Sequence, residues 1–193
     1  MEELENLEAE LEEPHVFLKD LKLNELEALL SDINAFRMLE KDAGGSESDR
    51  TGTTNTVLQY WDSLHLVTRA EIQLLTPSSE TEEEASSKMQ LSKDIQVMFE
   101  GQSKLALEKM KEEVEAKVKK CILAGGRPVF DDKGGGLIDM SYWRKVLDEL
   151  IVHIAKMELS EIHSKMLVCQ LEKLEKRKEE LAQNGGEDIT SST

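Results

Sequence analysis

The sequence predicts an all-α protein: an elongated helical bundle with one very long C-terminal helix and disordered linkers between shorter helices. Three observations carry that reading. The run Asp139–Ala182 contains neither Pro nor Gly. Apolar residues recur at three- and four-residue intervals in several separate stretches, the period of a helix with one buried face. Charged residues make up 33 % of the 193-residue chain and aromatic ones 4 %, a composition typical of helical assemblies with solvated connectors. A chain of this length holds either one domain with a full core or a smaller domain plus tails, and the polar stretches favour the second.

Taken in order, residues 1–13 read as an acidic leader, dominated by Glu, with Leu4, Leu7 and Leu11 at helical spacing. Such a segment is too short and self-repelling to be a stable helix alone, since isolated helices below about 12 to 15 residues are marginal in water. Residues 14–182 read as the helical domain, and 183–193 as a disordered tail. Pro14 marks a fresh start. From Leu18 to Glu40, the spacing of Leu23, Leu26, Leu29, Leu30, Ile33, Phe36 and Leu39 predicts one helix. The Gly/Ser/Thr stretch near 42–56 reads as a linker. Within Val57–Thr76, Tyr60 and Trp61 read as anchors that pin a loop onto the long helices, with cofactor stacking as the alternative. Thr68 and Glu71 then form a Thr-x-x-Glu capping box ahead of Ile72, which predicts a short helix from Arg69.

A second acidic, serine-rich linker is expected near 77–88. The apolar pattern resumes at Leu91 with Ile95, Val97, Met98 and Phe99, ending at Gly101. Ser103 is placed to cap a helix running to about Ile122, with Leu107, Met110, Val114, Val118 and Cys121 on one face. The glycine-rich segment near 124–138 matches neither phosphate-binding glycine pattern and reads as a flexible connector.

Asp139 can cap the long helix, and Asn184-Gly185-Gly186 stops it, giving a length of roughly 60 Å at 1.5 Å per residue. In its first half, Trp143, Leu147, Leu150, Ile154 and Met157 make a core-facing stripe widened by Val146 and Ile151. Trp143 is expected to be largely buried, and Tyr142 and Trp143 are structural anchors. Beyond Leu159 the stripe narrows to Ile162, Met166, Leu167, Leu171 and Leu174, followed by Leu181, between charged faces. That pattern reads as a coiled-coil-like seam for a partner helix, the alternative being a solvated helix end.

The charge of −16 argues against direct nucleic-acid binding, because phosphate contacts need a local excess of Lys and Arg. The richest basic stretches, Lys104–Lys120 and Lys173–Lys178, have glutamates interleaved. Cys121 and Cys169 cannot form a disulfide framework, and no apolar run of 18 residues or leader peptide is present, so a reducing compartment without membrane contact is expected. His15, His65, His153 and His163 show no metal-ligand spacing, and no nucleophile has a paired base in a recognisable motif. No catalytic, cofactor-binding or metal residues are expected, no small-molecule substrate, and no enzyme activity.

Several short blocks occur in an order that points to a family. Glu13-Pro-His-Val-Phe-Leu-Lys-Asp-Leu, Glu27-Ala-Leu-Leu-Ser-Asp-Ile, Tyr60-Trp61 and Thr68–Ile72 resemble the conserved middle region of the cactin family, eukaryotic splicing-associated proteins. Asp94-Ile-Gln-Val-Met-Phe-Glu-Gly, Gly125-Gly126, Leu137-Ile-Asp-Met-Ser-Tyr-Trp, Leu159 and Glu161-x-His163 are similar in the same order. The resemblance covers Glu13 to Leu174. It departs from the family in lacking the basic N-terminal arm and the C-terminal domain, in an inserted connector at Arg127–Gly136 and in a less basic helix after Ala155, so the chain is expected to be a fragment or a reduced member. The resemblance implies a non-enzymatic spliceosome component acting in the nucleus, with the cytoplasm as a second compartment, through contacts with spliceosomal proteins. It also implies links to Cactus/IκB-type signalling, so a regulatory adaptor there and an RNA-binding module are the alternatives.

Overall fold

The computed structural model describes residues 12–43, 52–76, 82–125, 127, 129–130 and 136–184. Helix α1 (Pro14–Phe17) begins with Pro14, whose missing N–H costs no hydrogen bond in a first turn. A 3-10 turn (Leu18–Asp20) leads to α2 (Leu23–Ala43), α3 (Gly52–Leu75), α4 (Glu82–Phe99), α5 (Lys104–Leu123) and α6 (Met140–Asn184). The described residues contain no strand beyond an isolated antiparallel bridge between Phe130 and Leu137. The fold is all-α, with α6 spanning 45 residues.

Local chemistry sets the helix ends. The Asp139 carboxylate accepts hydrogen bonds from the Ser141 and Tyr142 amides at 2.9 and 3.3 Å, satisfying donors that a first helical turn leaves open. Ser103 caps α5 by accepting from the Ala106 amide at 3.3 Å. Gly101, at φ 71°, makes the turn between α4 and α5 in a conformation that a Cβ would strain.

Helix α6 is the wall of two cores in series. Its Val146, Leu150 and Ile154 pack with Ile95 and Phe99 of α4 and with Leu107, Val114 and Val118 of α5. One residue further on, Ala155 and then Leu159 pack with Leu18 of the 3-10 turn, Leu26 and Ile33 of α2, and Leu64 and Val67 of α3. At about 100° per residue, the first trio centres roughly 40° from Val146 and the group Ala155, Leu159 and Ile162 roughly 190° from it, so the two cores sit about 150° apart around the helix. Helices α4 and α5 therefore lie on one side of α6, and α2 and α3 on nearly the other.

Polar contacts tie the surrounding helices to α6. Glu158 accepts from Gln59 and Ser63 of α3 at 3.1 and 2.7 Å and pairs with Lys104 of α5 at 3.2 Å, so one carboxylate joins both halves. Glu71 of α3 is buried and meets Lys156 at 3.1 Å. Glu149 accepts from Ser92 at 2.6 Å and Gln96 at 3.4 Å and pairs with Lys145 at 3.0 Å. Burial pushes the Glu149 carboxyl up, but the hydrogen bonds from Ser92, Lys145 and Gln96 more than reverse this and hold it below its ordinary 4.5.

The structure corrects five sequence expectations. No helix starts at Arg69: α3 runs unbroken from Gly52, and Thr68 lies buried in its middle, donating to the Leu64 carbonyl at 2.8 Å. Glu71 is turned to Lys156 rather than to a cap, because Leu64 and Val67 already commit that face of the helix to burial. The segment from Leu18 is a 3-10 turn and a separate helix, and Phe36 and Leu39 at the far end of α2 are exposed. The linkers are shorter than expected, since α2 reaches Ala43, α3 begins at Gly52 and α4 at Glu82; residues 44–51 and 77–81 lie outside the described residues. The connector is partly pinned, with Ile138 buried and its amide donating to the Val129 carbonyl at 2.8 Å. Trp143 is half-buried at the edge of the first core, while Val146, read as a flank, is fully buried. The leader positions Leu4, Leu7 and Leu11 and the tail from 185 lie outside the described residues.

Two outcomes follow from this packing. Leu159→Ala should lower unfolding free energy by about 2 to 5 kcal/mol in urea titrations, as for a fully enclosed leucine, whereas Leu171→Ala on the exposed part of α6 should change it by less than about 0.5 kcal/mol. Similar losses for both would contradict the division of α6 into a packed and a free half. The second concerns Glu149. Its folded-state carboxyl is held below the unfolded value, so the unfolded chain takes up the proton more readily; the stabilisation is present above about pH 4.5 and is lost as pH falls through the lower folded value. Glu149→Gln should be less stable than the parent at pH 7, with the difference shrinking toward pH 3; a constant difference in urea midpoint would show that the carboxylate's charge plays no part.

Candidate functional site

The part of α6 that projects past the second core is a surface that the described helices leave open. Its position is set by α1, which lies against α6 and whose preceding Glu13 accepts a hydrogen bond from Ser160 at 2.8 Å. Two residues along, Ile162 is only 7 % exposed. Ile162 therefore belongs to the packed interior and not to the partner seam in which the sequence pattern placed it.

One turn further on, Met166 and Leu167, with His163 and Gln170, face Glu12, Pro14, Phe17 and Tyr60 across a groove of about 310 Å³. Phe17 and Met166 are each about half exposed. Beyond the groove Leu171 and Leu174 are 60 % and 52 % exposed, with Val168 beside them. Four of the five predicted seam residues thus share one open surface, two in the groove and two on the free helix. Charged side chains surround it, and Glu161 pairs with Lys165 at 2.6 Å.

Electrostatics at the groove are mild. Burial pushes the Tyr60 phenol above its ordinary 10.0, so it is neutral and can donate a hydrogen bond at any physiological pH. His15 Nδ1 lies 3.2 Å from Glu13 Oε2, which suggests an ion pair. Burial, aided by the charges of Lys156 and Lys19, outweighs the attraction of Glu13 and lowers the His15 pKa from 6.5, so the ring is neutral at pH 7.

The aromatic anchors are found on helices. Tyr60 and Trp61 belong to α3 and not to a loop; Trp61 stacks on Phe36 with ring centroids 4.9 Å apart, and Tyr60 meets Trp61 edge-on at 5.3 Å. Tyr60 also lines the groove, a role that the sequence reading had not given it. At the opposite end, Tyr142 sits edge-on to Trp143 at 5.2 Å, and the Lys117 ammonium lies 3.9 Å over the Trp143 ring, a cation–π contact. Sequence reasoning missed Pro14, Phe17 and His163 as groove residues because their neighbours come from distant stretches. An exposed Phe three residues after a helix-starting Pro was the available signal. Among the described residues no three His, Cys, Asp or Glu side chains converge on a metal-sized site, and no helix is long and apolar enough to cross a membrane. An apolar strip bounded by charged side chains is suited to receiving the apolar face of another helix.

Comparisons with known proteins point to the same family as the sequence resemblance. Residues 1–163 match the family model described as the conserved mid region of cactin. The human protein named splicing factor Cactin is 27 % identical over 175 residues, covering 88 % of this chain and 20 % of that protein. Its Drosophila melanogaster counterpart is 29 % identical over 171 residues, covering 84 % of this chain and 20 % of that protein. The Danio rerio protein is 25 % identical over 175 residues, which is 18 % of its length. The chain thus spans about a fifth of the length of the curated relatives it matches. No solved structure matches it. With the family model covering the leader, both cores and α6 as far as His163, the chain belongs to the cactin family, in its conserved mid region.

Proposed function

We propose that this chain is a non-enzymatic protein-binding module of a splicing-associated factor, acting in pre-mRNA splicing in the nucleus through contacts with spliceosomal proteins. Family membership supports the splicing context, since the relatives bear the name splicing factor. One observation carries the mode of action: α6 stays helical past the packed bundle while still presenting Met166, Leu167, Leu171 and Leu174 along one side. In this reading residues 14–182 act as one helical unit, and the free end of α6 with the groove receives one partner helix. Covering a leucine contributes on the order of 1.5 to 3 kcal/mol, so two or three of them can dominate such a contact. The overall negative charge of −16 supports protein rather than nucleic acid as the direct partner.

Leu171→Glu combined with Leu174→Glu is the test, because both side chains are exposed and the bundle should keep its helicity and urea midpoint. Recovery of spliceosomal proteins from RNase-treated nuclear extract should fall by about tenfold or more, the loss of two apolar contacts. Undiminished recovery by the folded variant would place the binding surface elsewhere. Recovery abolished by RNase alone would favour RNA as the direct partner.

A further inference from the structure

A second surface lies at the other end of the molecule, where α5 gives way to the connector. A cleft of about 540 Å³ opens there between Cys121, Ile122, Val129, Leu137 and Met140, with Arg127 at its rim. Its volume falls within the roughly 300 to 1,000 Å³ usual for binding pockets. The walls are held in place: Ile138 is buried and donates its amide to the Val129 carbonyl at 2.8 Å, Phe130 and Leu137 bridge, and the Lys120 ammonium donates to the Phe130 carbonyl at 3.3 Å. Ile122, Leu123, Phe130 and Leu137 are nonetheless all more than half exposed. Four bulky apolar side chains gathered at one end of a highly charged protein mark an interaction surface.

Charge identifies the kind of partner. The chain has 40 acidic residues in 193, yet Ala116–Phe130 contains none and holds Lys117, Lys119, Lys120 and Arg127. The acids that follow, Asp131 and Asp132, stand beside Lys133 in sequence and lie outside the described residues. Asp139, the acid at the start of α6, has its carboxylate committed to the Ser141 and Tyr142 amides. Lys119 and Arg127 are exposed at this locally basic end of an acidic molecule.

We propose that this cleft docks an acidic peptide segment of another protein, with a bulky apolar side chain seated among Ile122, Val129 and Leu137 and carboxylates meeting Arg127 and Lys119. Arg127 offers a carboxylate two parallel donors. A nucleic acid is the poorer fit, because a phosphate backbone would leave the apolar walls uncovered. This surface is independent of the free end of α6, so either assignment can fail alone.

Selection of random twelve-residue peptides displayed on phage against the full chain tests the proposal without assuming a partner. Enrichment of sequences that combine Asp or Glu with Leu, Ile or Phe is expected. Synthetic copies, measured by fluorescence anisotropy, should bind about tenfold more weakly to Arg127→Glu/Lys119→Glu and to Leu137→Ser, and more weakly at high salt. Circular dichroism confirms that these exposed substitutions leave the helices intact. Failure to enrich any sequence, enrichment of basic or neutral peptides, or binding indifferent to both variants would overturn the proposal. So would tighter binding of a uridine oligonucleotide at the same residues, or displacement of the peptides by a second copy of the chain.

Discussion

Helix α6 has to furnish a wall for two cores, and the position of every other described helix follows from that demand. Val146, Leu150 and Ile154 define one face and Ala155 and Leu159 the other, and the two faces lie about 150° apart around the axis. Helices that pack on the two faces cannot also pack extensively on each other: α4 and α5 are joined mainly through α6, whereas α2 packs chiefly on α3, which in turn lies against α6. Glu158 is the exception that matters, because it faces neither core squarely and so reaches Gln59 and Ser63 on one side and Lys104 on the other.

The same helix explains how an exposed arm can stay ordered. Starting a helix fixes several residues for a single hydrogen bond, and a detached segment of about twenty residues would be marginal in water for that reason. Here the nucleus is supplied by the packed part of α6, and each further residue adds a backbone hydrogen bond at low cost. Lys, Glu and Leu, which dominate beyond Met166, have good helix propensity. The bundle therefore presents an apolar stripe in helical form before any partner arrives, which reduces the ordering cost a partner would otherwise have to offset.

What could be read from the sequence was local, and what could not was tertiary. The caps at Asp139 and Ser103 lie within three residues of the amides they satisfy, so their chemistry is visible in the chain itself. The Thr68–Glu71 motif is equally local and misled, because the same residues also fit a helix interior once Val67 and Leu64 are buried; Glu71 then needs Lys156, 85 residues away. Ile162 and Leu174 look alike along the chain. Only the tertiary arrangement makes one buried and leaves the other half exposed. Trp143 and Val146 show the same limit at finer scale, since a helical stripe tells which residues share a face but not which edge of it the partner covers.

The half-buried carboxylates settle a question that apolar packing leaves open, namely register. Stripes of Leu, Ile and Val stepping by three and four fit nearly as well when one helix slides by a turn, about 5.4 Å. Sliding α4 by a turn would take Ser92 and Gln96 away from Glu149, and sliding α3 would take Ser63 from Glu158 and Glu71 from Lys156. Each displaced carboxylate would remain partly enclosed without its donors, at a cost of about 1 to 3 kcal/mol. Several such losses together are comparable to the whole stability of an ordinary domain, roughly 5 to 15 kcal/mol, so the polar contacts select one alignment from a set that the leucines alone would tolerate. The groove beside Met166 depends on that alignment, because it brings together Phe17, Tyr60 and Leu167 from three separate helices.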